Sequence, residues 1–295
     1  MNSSSNLLVL GVTGRVGRLV AKHLERSKAN FSVGTRRKAN LEDLADQFGA
    51  SRFIDLDDPR TFNEALKNIT GIFLIGGYTV DMLVQSKSLI DAAKRNGVSH
   101  IVHLGAFTAE HDAYATVFAW HQMIEAYLRA SGVAWTNLHP NMFMQNLLGV
   151  VKDGMYSLYT SKALGYTALE DVAEAAAVIL LEGPSKHNGK DYWFSADVLT
   201  VQQVTEHLTA ATGHEFTAEV RDAEKFLKDA TQPGSRFEPA YAKGGLEFFR
   251  YVEDGRMAYV GSVRDDTKKL LGREPLLLRE WAKLHANELL EIAGS

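Results

Sequence analysis

The chain has 295 residues, 45% of them hydrophobic and 23% charged, a composition that supports one large globular domain or two smaller ones. Its formal net charge of −4 supplies no basic field for nucleic acid or anionic lipid. The absence of cysteine excludes disulfides, thiolate metal sites and cysteine nucleophiles together.

The start, Met1-Asn2-Ser3-Ser4-Ser5, has neither the basic nor the apolar region of a secretion signal. No apolar run approaches the roughly 18 residues of a membrane span, so a cytoplasmic protein is expected. Leu7, Leu8, Val9 and Leu10 then run into Gly11-Val12-Thr13-Gly14-Arg15-Val16-Gly17, and Val16, Leu19, Val20 and Leu24 continue at helical spacing. Strand, glycine turn and helix in that order aim helix N-terminal N–H groups at a diphosphate. Residues Gly11, Thr13, Gly14, Arg15, Val16 and Gly17 are the expected diphosphate cradle. A second strand over 31–35 ends in Arg36-Arg37-Lys38. An acidic residue at this distance would hold the ribose hydroxyls of NAD; Arg36 and Arg37 instead suit the 2′-phosphate of NADP.

Further along, the pattern predicts helices over 41–48 and 61–66, and a third strand over 52–57 with Asp55 at its carboxyl end. A fully apolar strand over 71–77 follows, then a helix over 82–96 stopped by Gly97. A fifth strand over 101–106, a helix over 115–130 and a sixth strand over 133–138 complete the regular half. This alternation predicts an α/β fold: a doubly wound parallel Rossmann sheet with a smaller, mostly C-terminal α/β substrate lobe. Residues 1–150 are expected to form the NADP-binding domain, with a strand and helices near 169–212 returning to it. Residues 151–295 are expected to form mainly the substrate lobe. In that half a helix is expected over 169–181, a strand over 192–195, a helix opened by the capping box Thr200-Val201-Gln202-Gln203, and a closing helix over 276–290. His100 and His103 alternate on a strand without a third ligand nearby, so no metal site is expected.

Several segments together resemble the NmrA-like family, the atypical branch of the short-chain dehydrogenases/reductases. They are Thr13-Gly14-Arg15-Val16-Gly17, the stretch 128–136, the stretch 140–147 beginning Pro140-Asn141-Met142-Phe143, Leu271-Gly272-Arg273-Glu274-Pro275, and Glu280-Trp281. The resemblance implies NAD(P) bound at the glycine turn, NADP(H) by the arginines, and Asp55 and Leu56 near adenine. It implies Gly76, Gly77 and Tyr78 along the cofactor, and Pro140 and Phe143 beside the nicotinamide. Active members of the parent superfamily use Tyr-x-x-x-Lys on a helix. Here the tyrosine position falls on Val117 and the lysine position on His121, at the i, i+4 spacing of one helix face. The serine expected after the fifth strand is missing, and His139 stands where the family usually has arginine before Pro140.

Two functions are compatible with that pattern. One is an NADPH-dependent reductase for small activated electrophiles (a quinone, quinoid dye, iminium or activated alkene). Its proton would come from water or from His121 as general acid, a role that the ordinary imidazole pKa near 6.5 permits. His121 would alternatively hold the ribose. Phe107, Trp120, Phe143 and Met144 are the expected substrate-cleft residues. The other is a non-catalytic NADP(H)-binding redox sensor acting on a protein partner. A homodimer is left open in either case.

Overall fold

The computed structural model describes residues 5–109, 115–234 and 237–294. Leu7 and Val9 point to one face of a central sheet and Leu8 and Leu10 to the other, and all four are buried. A strand apolar on both faces belongs in the middle of a sheet with helices on each side. That strand, β1 (Leu7–Val9), pairs in parallel with β2 (Phe31–Thr35) and with β4 (Gly71–Leu74). Outside them lie β3 (Ser51–Phe53), β5 (His100–Leu104), β6 (Ala134–Pro140) and, later in the chain, β10 (Lys190–Ser195). The sheet runs β13-β10-β6-β5-β4-β1-β2-β3, where β13 (Arg264–Asp265) is antiparallel to β10 and the other neighbours are parallel. The order 3-2-1-4-5-6 is that of a dinucleotide-binding Rossmann sheet, with its ligand crevice outside the carboxyl ends of the strands.

Helices α1 (Arg15–Arg26), α2 (Leu41–Phe48) and α7 (Leu169–Glu182) cover one face around Val20, Leu24, Phe73 and Ile179. The other face is covered by α3 (Phe62–Ala65), α4 (Met82–Arg95) and α5 (Thr116–Ser131), around Ile72, Leu89, Ile124 and Leu128. Left-handed glycines close two of these elements: Gly97, at φ +74°, follows α4, and Gly132, at φ +83°, caps α5.

The second half is built from pieces too short to leave a periodic signal. After β7 (Met142–Phe143) and α6 (Leu147–Val150) come β8 (Met155–Leu158) and β9 (Leu164–Thr167). A three-stranded sheet joins β7 and β9 to β11 (Asp197–Leu199), and a parallel pair joins β8 to β12 (Thr217–Val220). The remaining helices of this part include α8 (Pro184–His187), α9 (Val201–Thr212), α10 (Ala223–Ala230) and α11 (Pro239–Glu253). Its own core holds Tyr156, Tyr166, Leu208, Phe249 and Trp281. Among the described residues, β10 and β13 return to the large sheet, and α7 covers its face. By contrast α9 directs Val201, Val204 and Leu208 into the lobe core, although its predicted capping box is formed. The closing helix is two helices, Leu278–Leu284 and Ala286–Ala293, broken at His285. Among the described residues no helix is long and apolar enough to cross a membrane.

Candidate functional site

The glycine turn stands at the carboxyl end of β1. Gly14 caps α1 with no side-chain hydrogen bond, and no acidic residue lies in the first helical turn. The N–H groups and the positive end of the helix dipole therefore face outward together, the elementary form of an anion site. Gly17 is fixed by contact: a Cβ there would lie 2.5 Å from the carbonyl carbon and oxygen of Gly11. Glycine at this position lets the helix start pack directly on the turn, the close approach that a diphosphate-binding turn uses. Arg15 turns partly away, its Nη1 donating to the Gln145 carbonyl at 2.7 Å. Gln145 in turn accepts the Leu169 N–H at 3.0 Å and donates to Glu170 at 2.5 Å.

At the end of β2 the buried Thr35 gives way to exposed Arg36 and Arg37. The third strand stops at Phe53, short of the expected 57. Beyond it the Asp55 carboxylate accepts the Asp57 N–H at 3.1 Å, and Leu56 is half-buried against the core on the α3–α5 side. Gly76, Gly77 and Tyr78 follow β4 as open chain.

Helix α11 of the lobe packs on α5 of the large sheet's cover. Val117, in the tyrosine position, is buried, and a Cβ on Gly244 of α11 would sit 3.1 Å from its Cγ2. The tyrosine site is therefore covered by a lobe helix and offers no proton donor. His121 lies one turn further and is only 3% exposed. Its ring meets Tyr78 edge-on at 5.7 Å and His103 at 5.5 Å. Tyr78 meets Tyr241 at 5.1 Å, and the Val80 N–H donates to Glu238 at 2.8 Å. The β4–α4 loop is thus fastened to the start of α11. Burial, reinforced by His103 and His139, holds the His121 imidazole well below its ordinary pKa. The ring is neutral at physiological pH, which corrects the expectation of an acid titrating near 6.5.

The expected cleft residues do not form one wall. Phe143 is half-buried near Pro140, at the end of β6. Met144 is fully buried in the lobe core, and Phe107 is buried there against Tyr259 at 6.3 Å. Trp120 packs on the core shared with α4. Met144 and Trp120 serve packing, because the chain turns inward immediately after Phe143 and because Trp120 sits on a different face of α5 from Val117 and His121.

Sequence reasoning missed the polar line beneath His121. Residues 117, 121, 125 and 129 share one face of α5. Glu125 is 2% exposed, and its Oε1 has no partner. Its other neighbours are His139 Nδ1 at 3.6 Å and Arg129 at 3.7 Å. His139 Nε2 hydrogen-bonds Asp191 at 2.9 Å, its Nδ1 lies 3.0 Å from the Ala106 carbonyl, and its ring stacks on Trp193 at 4.5 Å. Asp191 also accepts from Asn137 at 2.9 Å and Arg129 at 3.1 Å. Burial pushes Glu125 up to about 7 against the opposing pull of His139 and Arg129. Burial also works against the Asp191 carboxylate, but the hydrogen bonds from His139 and Asn137 outweigh it and hold that group below its usual range. Burial drives His103 down to about 3 and His100 down to about 4. Glu125, His139 and Asp191 bring three ligand-type atoms within 4.8 Å of one another. The Arg129 guanidinium stands beside that group, 3.1 Å from Asp191 and 3.7 Å from Glu125. The sequence did hold a signal: an acid and a base continuing the Val117–His121 face of α5 at four-residue steps.

The model of the NmrA-like family matches residues 3–253. The NAD(P)H azoreductase of Xenophilus azovorans is 28% identical over 287 residues, covering 95% of this chain and 98% of that protein. Among solved structures, the Citrobacter sp. triphenylmethane reductase complexed with NADP(H) superposes with a TM-score of 0.79. It is 22% identical and covers 96% of this chain and all of that one (100%). The NADPH-dependent quinone oxidoreductase of Escherichia coli complexed with NADPH also gives 0.79, at 23% identity, over 94% of this chain and 99% of that one.

Proposed function

Because the chain belongs to the NmrA-like family, we propose that it is an NADPH-dependent reductase of small activated electrophiles that works without the Tyr–Lys pair. The observation that carries this reading is the pairing of a glycine turn whose helix has no side-chain cap with two exposed arginines at the end of the adjacent strand. The turn from Gly11 to Gly17 binds the diphosphate. Arg36 and Arg37 grip the 2′-phosphate with planar, charge-assisted hydrogen bonds. Asp55 and Leu56 flank adenine, Gly76 to Tyr78 run along the cofactor, and Pro140 and Phe143 back the nicotinamide. When bound, the reduced cofactor supplies a hydride. The residues of the chain supply position and a dry cleft between Tyr78, His121, Phe143 and Tyr241.

With Val117 in place of a tyrosine acid, the electrophile must be one that accepts hydride without prior protonation. Quinones, quinoid or azo dyes, iminium ions and activated alkenes meet that condition. The names of the azoreductase, triphenylmethane reductase and quinone oxidoreductase relatives support the same chemistry. Titration with NADPH and then NADH, followed by nicotinamide fluorescence, tests the cofactor. A screen of NADPH oxidation with quinones and azo dyes tests the reaction. Turnover with at least one electrophile class is expected. The missing tyrosine also favours a second reading, a redox sensor. Tight NADPH binding with no oxidation by any electrophile would establish that reading instead.

A further inference from the structure

Among the described residues, buried side-chain atoms without a hydrogen-bond partner are concentrated in one place. His121 Nδ1 and Nε2, His103 Nδ1, Glu125 Oε1 and Asn137 Oδ1 all belong to the space between α5 and strands β5 and β6. Each such atom costs about 1–3 kcal/mol when left unmade, so a cluster of them marks polar groups retained for something other than packing. The groups also lie close to one another. His121 and His103 have ring centroids 5.5 Å apart. A single point, where a Cβ on Gly105 would stand, is 2.8 Å from Glu125 Oε1 and 3.6 Å from His103 Cε1. Gly105 is therefore the residue that lets the carboxyl and the imidazole flank one gap. From Glu125 the line continues to His139 at 3.6 Å and from His139 to Asp191 at 2.9 Å. The Asp191 side chain is 21% exposed and the Arg129 side chain beside it 43%. One end of the line lies behind the exposed Tyr78, whose ring meets His121 at 5.7 Å, and the other meets solvent.

We propose that this line is a proton path that reloads His121 from the edge of the sheet, with Glu125 as its proton store. The inference rests on the reductase reading. Hydride transfer leaves a negative charge on a heteroatom of the reduced substrate. The His121 N–H bond breaks toward that atom while a proton from His103 forms a new N–H bond on the other imidazole nitrogen. The vacancy on His103 is filled from the O–H of Glu125, which is left as a carboxylate. A proton from solvent, entering at Asp191 and passing His139, restores the acid. The relay leaves both imidazoles in the opposite tautomer, and reorientation of each ring brings its N–H back toward the substrate side. One proton enters and one leaves per turnover. The steps from Glu125 to His103 and from His103 to His121 require a bridging water or a side-chain rotation during turnover.

Burial keeps Glu125 protonated up to neutral pH, against His139 and Arg129. The titratable and charged groups that face it are His121 and Arg129 on its own helix, His103 on β5, His139 on β6 and Asp191 on β10.

Infrared titration of the ligand-free protein tests the store directly. The expected result is a protonated-carboxyl C=O band that shifts in D2O, fades as pH rises through neutrality, and is absent from Glu125→Gln. No such band near neutral pH, or the same band surviving in Glu125→Gln, overturns the proposal. With a quinone as acceptor, wild-type kcat is expected to fall over the same pH range with a solvent deuterium isotope effect. Glu125→Gln is expected to be about 100-fold slower and flat over that range, with NADPH affinity kept. Glu125→Asp restores a titrating limb. The same limb in wild type and Glu125→Gln overturns the path. If the wild type reduces no electrophile, the reductase reading fails on that ground, and the infrared titration alone decides whether Glu125 stores a proton.

Discussion

Gly244 of α11 lies directly over Val117 of α5, close enough that a Cβ on the glycine would stand 3.1 Å from the valine methyl. The two residues form a helix crossing at the position where a catalytic tyrosine would project. Val117→Tyr must therefore push α11 away. Overpacking of this kind costs about 1–3 kcal/mol, and urea unfolding should show a loss in that range. Alcohol oxidation should not appear, because the introduced hydroxyl lies beneath α11 and not in the cleft.

Arg36→Ala/Arg37→Ala should weaken NADPH by about 10- to 100-fold, the equivalent of one or two charge-assisted hydrogen bonds. NADH, which lacks the 2′-phosphate, should change less than about twofold. Fluorescence titration of both cofactors measures the difference. Equal losses would remove the arginines from cofactor selection.

Gly17→Ala places a methyl group against the Gly11 carbonyl at 2.5 Å, so the turn must open. Cofactor affinity should fall below detection at millimolar NADPH. The sheet and helices should survive, since the contact is local to the turn, and circular dichroism should record a folded protein.

The buried groups also predict opposed pH effects on stability. His103 titrates at the ordinary 6.5 in the unfolded chain and at about 3 in the folded one. Between these values the unfolded chain binds the extra proton, so the stability it contributes above pH 6.5 is lost as pH falls. Glu125 moves the other way, from 4.5 to about 7. Its contribution is present below 4.5 and lost as pH rises through 7. Relative to wild type, Glu125→Gln should gain on the order of 3 kcal/mol between pH 4.5 and 8. His103→Asn should gain as pH falls below 6.5. Denaturant midpoints of the three proteins across pH 4.5–8 measure both trends.

The first 140 residues were legible because their signals are local. Leu7 to Gly17 carries strand, turn and helix in consecutive residues, and Gly97 and Gly132 mark where α4 and α5 stop. The lobe was not legible. Strands β7, β8, β9, β11 and β12 are two to four residues long, and non-local pairing defines them more than any pattern of their own. The break at His285 was invisible for the same reason: its ring stacks on Trp281 at 4.6 Å and bonds Glu288 at 2.8 Å, contacts that periodicity does not encode. At the site, the turn and the arginines could be read from charge and spacing. The pairing of Glu125 with His139 could not, because it joins α5 to a strand that reaches it only through the fold.

Gln145 receives Arg15 on its backbone carbonyl and Leu169 on its side-chain oxygen, and its amide reaches Glu170. It acts as a tie rod: the glycine turn, the segment following Phe143 and the start of α7 all end on this one residue. A displacement of the turn is transmitted to the rear wall of the cleft without passing through the sheet. The two ends of the crevice thus share one hydrogen-bonded anchor outside the sheet.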